Sequence, residues 1–278
     1  MQTAPMAAPR RPVVLVCAAL LLLPLAACSK DSKRPSAASN SSSAASSLSS
    51  SSSSSTDSAP PPTTGLCSAP EIPPSAVNVT HADGDFNGDN TTDSLTVYGT
   101  GTNTQPSPYH VRIELAESHG TVDTVIADAA TDNNQTVKAL GGADVSSSAG
   151  LPPDGSGAEP FVEIGSGASD SLIGVFQLIG CSLTRLTGPQ GTAPSQFPIG
   201  GSVTHLDGLR CDGSAGGQRL VQLSATSSDG VSYDTKETRL EVQDGKFTAT
   251  ANVTDKLDAR DARLQEFSTL NCPGVQTP

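Results

Sequence analysis

Most of the chain beyond residue 90 is cut into short alternating or β-branched runs, each closed by Gly, Asp, Asn or Pro. That punctuation suits strands and leaves little room for helices. The pattern predicts strands at 93–99 (DSLTVYG), 109–117 (YHVRIELAE), 121–128 (TVDTVIAD), 160–165 (PFVEIG), 171–180 (SLIGVFQLIG) and 182–187 (SLTRLT). It predicts further strands at 219–227, 231–243 and 246–253. The Asp244-Gly245 pair inside VQDGKF is a strong hairpin turn, and Asp229-Gly230 and Gly141-Gly142 are weaker ones. Only 256–270 (KLDARDARLQEFSTL) suggests a helix, with Leu257, Leu264 and Phe267 on one side. The expected fold is all-β: antiparallel blade-like sheets, either an incomplete propeller or a sandwich, with a short C-terminal helix.

The front of the chain reads differently. Arg10 and Arg11 precede Val13–Ala27, an almost wholly apolar run of 15 residues interrupted by Pro24. A span needs roughly 20 residues, so this run reads as an export signal. It ends in Leu25-Ala26-Ala27-Cys28, which resembles the lipobox of bacterial lipoproteins. That resemblance implies cleavage after residue 27, a lipidated Cys28, and a protein held on the extracytoplasmic face of the cell membrane. Two or three acyl chains meet the requirement that stable anchoring takes more than one lipid. Cleavage removes Arg10 and Arg11 and no acid, so the formal charge of -12 becomes about -14. Such a chain repels nucleic acid and anionic lipid. The membrane contact therefore falls to the lipid and not to a basic patch.

Residues 28–66 are Ser/Ala-rich and then Pro/Thr-rich, with almost no apolar bulk. They cannot offset the entropy of ordering, and the expectation is a disordered tether. As a coil, its roughly 36 residues from 29 to 64 would span about 30–36 Å. The remaining segment, 67–278, is long enough for one domain with a real core or for two small ones.

That segment holds Cys67, Cys181, Cys211 and Cys272. An even number in an exported chain reads as two disulfides. Three connectivities are open; the one preferred joins Cys181 to Cys211 and Cys67 to Cys272, the second bond tying the ends of the domain together. No CxxC or His-adjacent pair points to metal binding by these thiols.

Residues 83–93 read DGDFNGDNTTD. Hard cations want six to eight oxygens, and side chains at alternate positions of a short loop converge on one point. From Asp85 the ligand set is Asp85, Asn87, Asp89, the Thr91 carbonyl and Asp93, followed directly by a strand. A start at Asp83 gives a poorer set, with Thr91 and Ser94 at the late positions. The stretch GDFNGDNTTDSLTVY resembles the FG-GAP or VCBS repeat of integrin-type β-propellers, G-D-x-N-G-D-G-x-x-D before a hydrophobic strand. The resemblance implies a structural Ca²⁺, with Asp85, Asn87, Asp89 and Asp93 on the family's ligand positions. Asn90 stands where the family has Gly; Asn tolerates the left-handed backbone required there. Dockerin modules share D-x-N-x-D but continue into a helix and occur in pairs, which does not fit SLTVYGTG. A plain polar turn is the bland alternative. PPDGSGAEPFVEIGSG (152–167) reads as a degenerate second copy that keeps only Asp154 and Glu159. One good repeat and one poor one cannot close a seven-bladed propeller.

Nothing in the sequence marks catalysis. There is no G-x-S-x-G elbow, no HExxH and no P-loop. His81, His110, His119 and His205 are scattered; His205 with Asp207 is the nearest candidate pair, and Asp123 with Glu159 is a candidate carboxylate pair that no motif supports. The expectation is a lipid-anchored cell-surface binding or scaffold module for an unidentified protein or glycan, with no catalytic residues. The alternative is a secreted hydrolase with an unrecognised site, which a pocket with converging His, Asp and Ser would favour.

Overall fold

A computed structural model describes residues 67–117, 119–129, 137–145, 157–191, 193–214 and 217–278. The signal segment 1–27, Cys28, the tether 28–66 and Asp154 lie outside the described residues.

The architecture is antiparallel β, as the alternation predicts. The first four strands form a meander: β1 (Val77–Gly84), β2 (Asp93–Gly99), β3 (Tyr109–Glu114) and β4 (Thr121–Ile126) pair in chain order. Because side chains alternate across a pleat, Leu95, Val97, Val111, Ile113, Val122 and Ile126 all point to one face, where each is buried. Tyr98, His110, Arg112 and Asp123 share the other face.

A second, ten-stranded sheet holds the rest. Its strands are β5 (Lys138–Ala143), β6 (Glu159–Ser166), β7 (Asp170–Ile179), β8 (Ser182–Arg185), β9 (Phe197–Ser202), β10 (His205–Ser214), β11 (Gly217–Thr226), β12 (Ser232–Gln243), β13 (Lys246–Asp258) and β14 (Leu270–Asn271). The hydrogen-bonded order is β13-β12-β11-β10-β9-β7-β6-β5, with β14 on β10 and β8 on β7. Strands β5–β7 are buried on both faces. Val162, Ile164 and Phe176 pack against the first sheet. Phe161, Ile173 and Val175 face the opposite way, onto Leu209, Leu220, Leu240 and Phe247. A strand covered on both sides reads as a continuous apolar run, which is why PFVEIG and SLIGVFQLIG stand out in the sequence.

Four expectations are corrected. Gly141-Gly142 is not a turn: both residues lie inside β5, where Gly141 bridges to Val275 of the C-terminal segment. Residues 256–258 are not helical, because β13 runs on to Asp258 in register with β12, Leu257 opposite Tyr233. A short 3-10 helix follows at Ala262–Ser268, capped by Asp261, which accepts from the Arg263 N–H at 3.0 Å. Leu257, Leu264 and Phe267 nonetheless share one buried cluster, with Val221, Leu223, Ala225 and Tyr233.

The cysteines are all paired, but not as preferred. The bonds are Cys67–Cys181 and Cys211–Cys272. Cys67 lies beside β4, whose Thr121 N–H donates to the Cys67 carbonyl at 2.9 Å. Cys211 is on β10, next to the parallel strand β14 that leads into Cys272. Strand pairing of β10 with β14 brings Cys211 to Cys272, whereas Cys67–Cys181 links the segment beside β4 to the β7–β8 turn of the other sheet, so neither bond joins one end of the domain to the other. Finally, Glu159, offered as a remnant ligand of a second repeat, is the buried first residue of β6 and accepts from the Val145 N–H at 2.8 Å.

Candidate functional site

The acidic stretch is the loop of the β1–β2 hairpin. Gly84 pairs with Asp93, and residues 85–92 fill the space between them. Such a loop cannot follow a standard tight turn, so its own side chains must close it. Asp85 accepts from the backbone N–H of Gly88 (2.8 Å), Asp89 (3.1 Å) and Asn90 (2.8 Å). Asp89 accepts from the Thr91 N–H at 2.8 Å and from the Asn87 side-chain amide at 2.7 Å. Gly88 and Asn90 carry the left-handed backbone that coils the loop, with φ of 75° and 64°. The Asn90 departure from the repeat pattern is therefore accommodated.

Phe86 fixes this loop to the core. It is the loop's one large apolar side chain and is 1% exposed. Its ring lies against Gly84 and Gly142, and a β-carbon on either would approach it to 2.7 Å. The backbone behind it is tied down as well: the Ala158 N–H donates to the Asp85 carbonyl at 2.6 Å. A β-carbon on Gly157 would stand 2.3 Å from the Phe86 carbonyl carbon, so only glycine allows the start of β6 to pass so close. Residues 157 and 158 thus abut the acidic loop.

Asp93 closes the far end and is 1% exposed. It accepts from the Phe86 N–H at 2.9 Å and the Ala116 N–H at 3.0 Å. Burial pushes its carboxyl above the usual range; the Ala116 and Phe86 bonds counter that, and the charges of Asp89 and Asp85 push it up further. Asp89 is held below the usual range: loss of water pushes it up, but hydrogen bonds from Asn87 and Thr91 outweigh that. Three carboxylates therefore feel one another within a single loop.

The donor chemistry suits a hard cation. Asp85, Asn87, Asp89, the Thr91 carbonyl and Asp93 offer only oxygens, with three formal negative charges. As placed, the carboxylates are spent on amide hydrogens, and Asn87 turns its amide nitrogen to Asp89. Among the described residues no group of three His, Cys, Asp or Glu stands ready to hold a metal ion. An ion shared by this loop would compete with the Asn87–Asp89 bond. Beside the loop lies an open cleft of about 460 Å³, lined among others by Asp83, Asp93, Glu114, His119 and Thr121.

The histidines fall elsewhere. His205 meets Asp207 at 2.5 Å, as their spacing on β10 allows. Burial pushes the Asp207 carboxyl up, and His205 beside it pulls the other way. Asp123 and Glu159 are not brought together: they belong to different sheets. Asp123 instead accepts from His110 Nδ1 and from the Tyr98 hydroxyl, both at 2.7 Å, with the Tyr98 and His110 rings stacked 4.9 Å apart. Burial pushes the Tyr98 phenol well above its ordinary value, and the bond and charge of Asp123 push it the same way. This cluster was missed in the sequence, although alternation alone places the three residues on the outer face of adjacent strands. His81 meets the Thr96 hydroxyl at 3.0 Å, and His119 sits in the β3–β4 turn with φ of 50°. No family model matches the chain, and neither a curated protein nor a solved structure gives a significant match.

Proposed function

We propose that the protein is an exported lipoprotein, anchored through Cys28, whose β domain serves as a surface binding or scaffold module with a Ca²⁺-organised hairpin loop. The observation that carries this reading is the acidic loop itself. A hairpin can be closed far more cheaply, as between β12 and β13, yet here three carboxylates are gathered on a loop fixed at both ends to the core. Asp85, Asn87, Asp89, the Thr91 carbonyl and Asp93 would hold the ion, which would offset their repulsion and stiffen the wall of the adjacent acidic cleft. Two disulfides support export, since such bonds persist in oxidising compartments. The apolar run before Leu25-Ala26-Ala27-Cys28 supports the lipid anchor.

The anchor is tested by fractionation. The parent chain partitions into detergent with the membranes, and Cys28→Ser loses both the lipid and signal cleavage. A Cys28→Ser chain that is processed and fractionates like the parent overturns the lipoprotein reading.

A further inference from the structure

Two sheet edges of this fold are covered by non-strand segments of the chain, and each cover is stapled by a disulfide. The edge of β5 is covered by the C-terminal segment: Gly141 bridges to Val275, and the Gln276 N–H donates to the Leu140 carbonyl at 2.7 Å. Its staple is Cys211–Cys272, with Cys272 buried among Leu140, Phe247 and Leu270. The start of β4 is covered by residues 67–69 of the strap 67–76. The Thr121 N–H donates to the Cys67 carbonyl at 2.9 Å, and the Ala69 N–H to the Thr121 hydroxyl at 3.1 Å. The segment then crosses the outer face, where Arg112 Nη1 donates to the Pro70 carbonyl, and enters β1 at the opposite edge of the sheet. Its staple is Cys67–Cys181.

The two covers are held very differently. None of residues 67–76 is buried, and Pro70, Pro73 and Pro74 have no N–H to donate. These hydrogen bonds, the packing of Cys67 against the core and the disulfide tie this strap to the sheet. Cys181 is exposed, on the turn between β7 and β8, whereas Cys272 is 5% exposed. Thiol–disulfide exchange requires access to a sulfur, and exposed disulfides are the labile ones.

We infer that Cys67–Cys181 is a reducible latch, which holds the 67–76 strap on Thr121 at the start of β4 and over Arg112 and lets it go without unfolding the domain. The reductant is a dithiol. One of its thiolates attacks the Cys181 sulfur; the S–S bond breaks with its electron pair on Cys67, which takes up a proton. The second thiol of the reductant then displaces Cys181 as a thiol, and the reductant leaves as a disulfide. Two electrons and two protons pass to the cysteine pair. Release frees the Thr121 N–H at the start of β4 and the Arg112 guanidinium on the outer face of the sheet.

The test is graded reduction of the full chain by dithiothreitol under native conditions, followed by alkylation, peptide mapping and hydrogen exchange. Cys67 and Cys181 become alkylated while Cys211 and Cys272 stay protected. Exchange at the Thr121 amide and across the strap peptide rises at least tenfold, while peptides of β6, β7 and β11 are unchanged. The Cys67→Ala/Cys181→Ala double variant shows the same exchange pattern without reductant. Reduction of both bonds at the same dithiol concentration, cooperative loss of the core with the first bond, a double variant that does not fold, or unchanged Thr121 exchange each overturn the latch.

Discussion

Two hairpins of this domain are closed in opposite ways. Between β12 and β13 the chain reverses with Asp244 and Gly245 alone, at φ of 51° and 72°. Backbone conformation does the work, since two left-handed residues match the twist of the flanking strands. Between β1 and β2 the reversal takes residues 85–92. There the loop is closed by side chains: Asp85 and Asp89 bind backbone N–H groups, Asp93 binds Phe86 and Ala116, and Phe86 is buried. The tight turn uses no buried charge. The long loop gathers three carboxylates that repel one another and needs the core to hold it. The oxygen-only donor set of that loop is what motivates the proposed Ca²⁺ site.

Substitutions can break this contrast, from the largest expected effect to the smallest. Phe86→Ala should destabilise by about 3–5 kcal/mol, the usual cost of emptying a fully buried aromatic site. For a domain of this size that lowers Tm by roughly ten degrees or more. A loss under about 1 kcal/mol in a thermal melt would mean that the loop is not docked. Asp93→Ala leaves the buried Phe86 N–H and the part-buried Ala116 N–H unpaired, at about 1–3 kcal/mol for the first and less for the second, so about 1–4 kcal/mol is expected after the relief of repulsion. Chemical denaturation should show it, and a variant as stable as the parent would remove Asp93 from the account.

The tight turn should respond in another way. Gly245→Ala forces a β-carbon into a left-handed position, at about 1 kcal/mol. That loss should be the same with and without Ca²⁺, because the turn has no part in ion binding. A Ca²⁺-dependent loss would erase the distinction between the hairpins. Asp89→Ala removes an exposed carboxylate, and the expected change without added ion is within about 0.5 kcal/mol.

Much of the fold was legible because strand period and turn chemistry agree. DSLTVYG is β2 residue for residue, and Asp244-Gly245 is the turn it promised. Strands β1, β5, β9, β10 and β14 were not legible: VNVTHADG lacks apolar alternation, with only Ala82 buried, Gly141-Gly142 carries a turn signal where the C-terminal segment needs room to pass, and FPIGGS and HLDGLRCDGS are interrupted by glycines. The helix signal at 256–270 failed where pairing with β12 outweighed a weak local preference. Cysteine pairing could not be read at all, since it follows which strands become neighbours over separations of 114 and 61 residues. At the loop, the acidic residues declared themselves, while the dependence on Phe86, Gly157 and Ala116 arises only from tertiary packing.

The central claim is that the acidic loop binds Ca²⁺, and a melt of the folded domain with and without the ion tests it most directly. Binding to the folded state alone stabilises by RT ln(1 + [L]/Kd). With Kd of about 10⁻⁴–10⁻³ M, in the range of extracellular modules, roughly 5 mM Ca²⁺ is worth about 1–2 kcal/mol. The account predicts a rise in Tm of about 2–8 °C in Ca²⁺ relative to chelator. It predicts a smaller rise in equal Mg²⁺, which demands a tighter octahedron, and none for Asp89→Ala. Identical melts of the parent in Ca²⁺, Mg²⁺ and chelator, with no heat in a calorimetric Ca²⁺ titration, would contradict it and leave the loop a polar turn closed on its own amides.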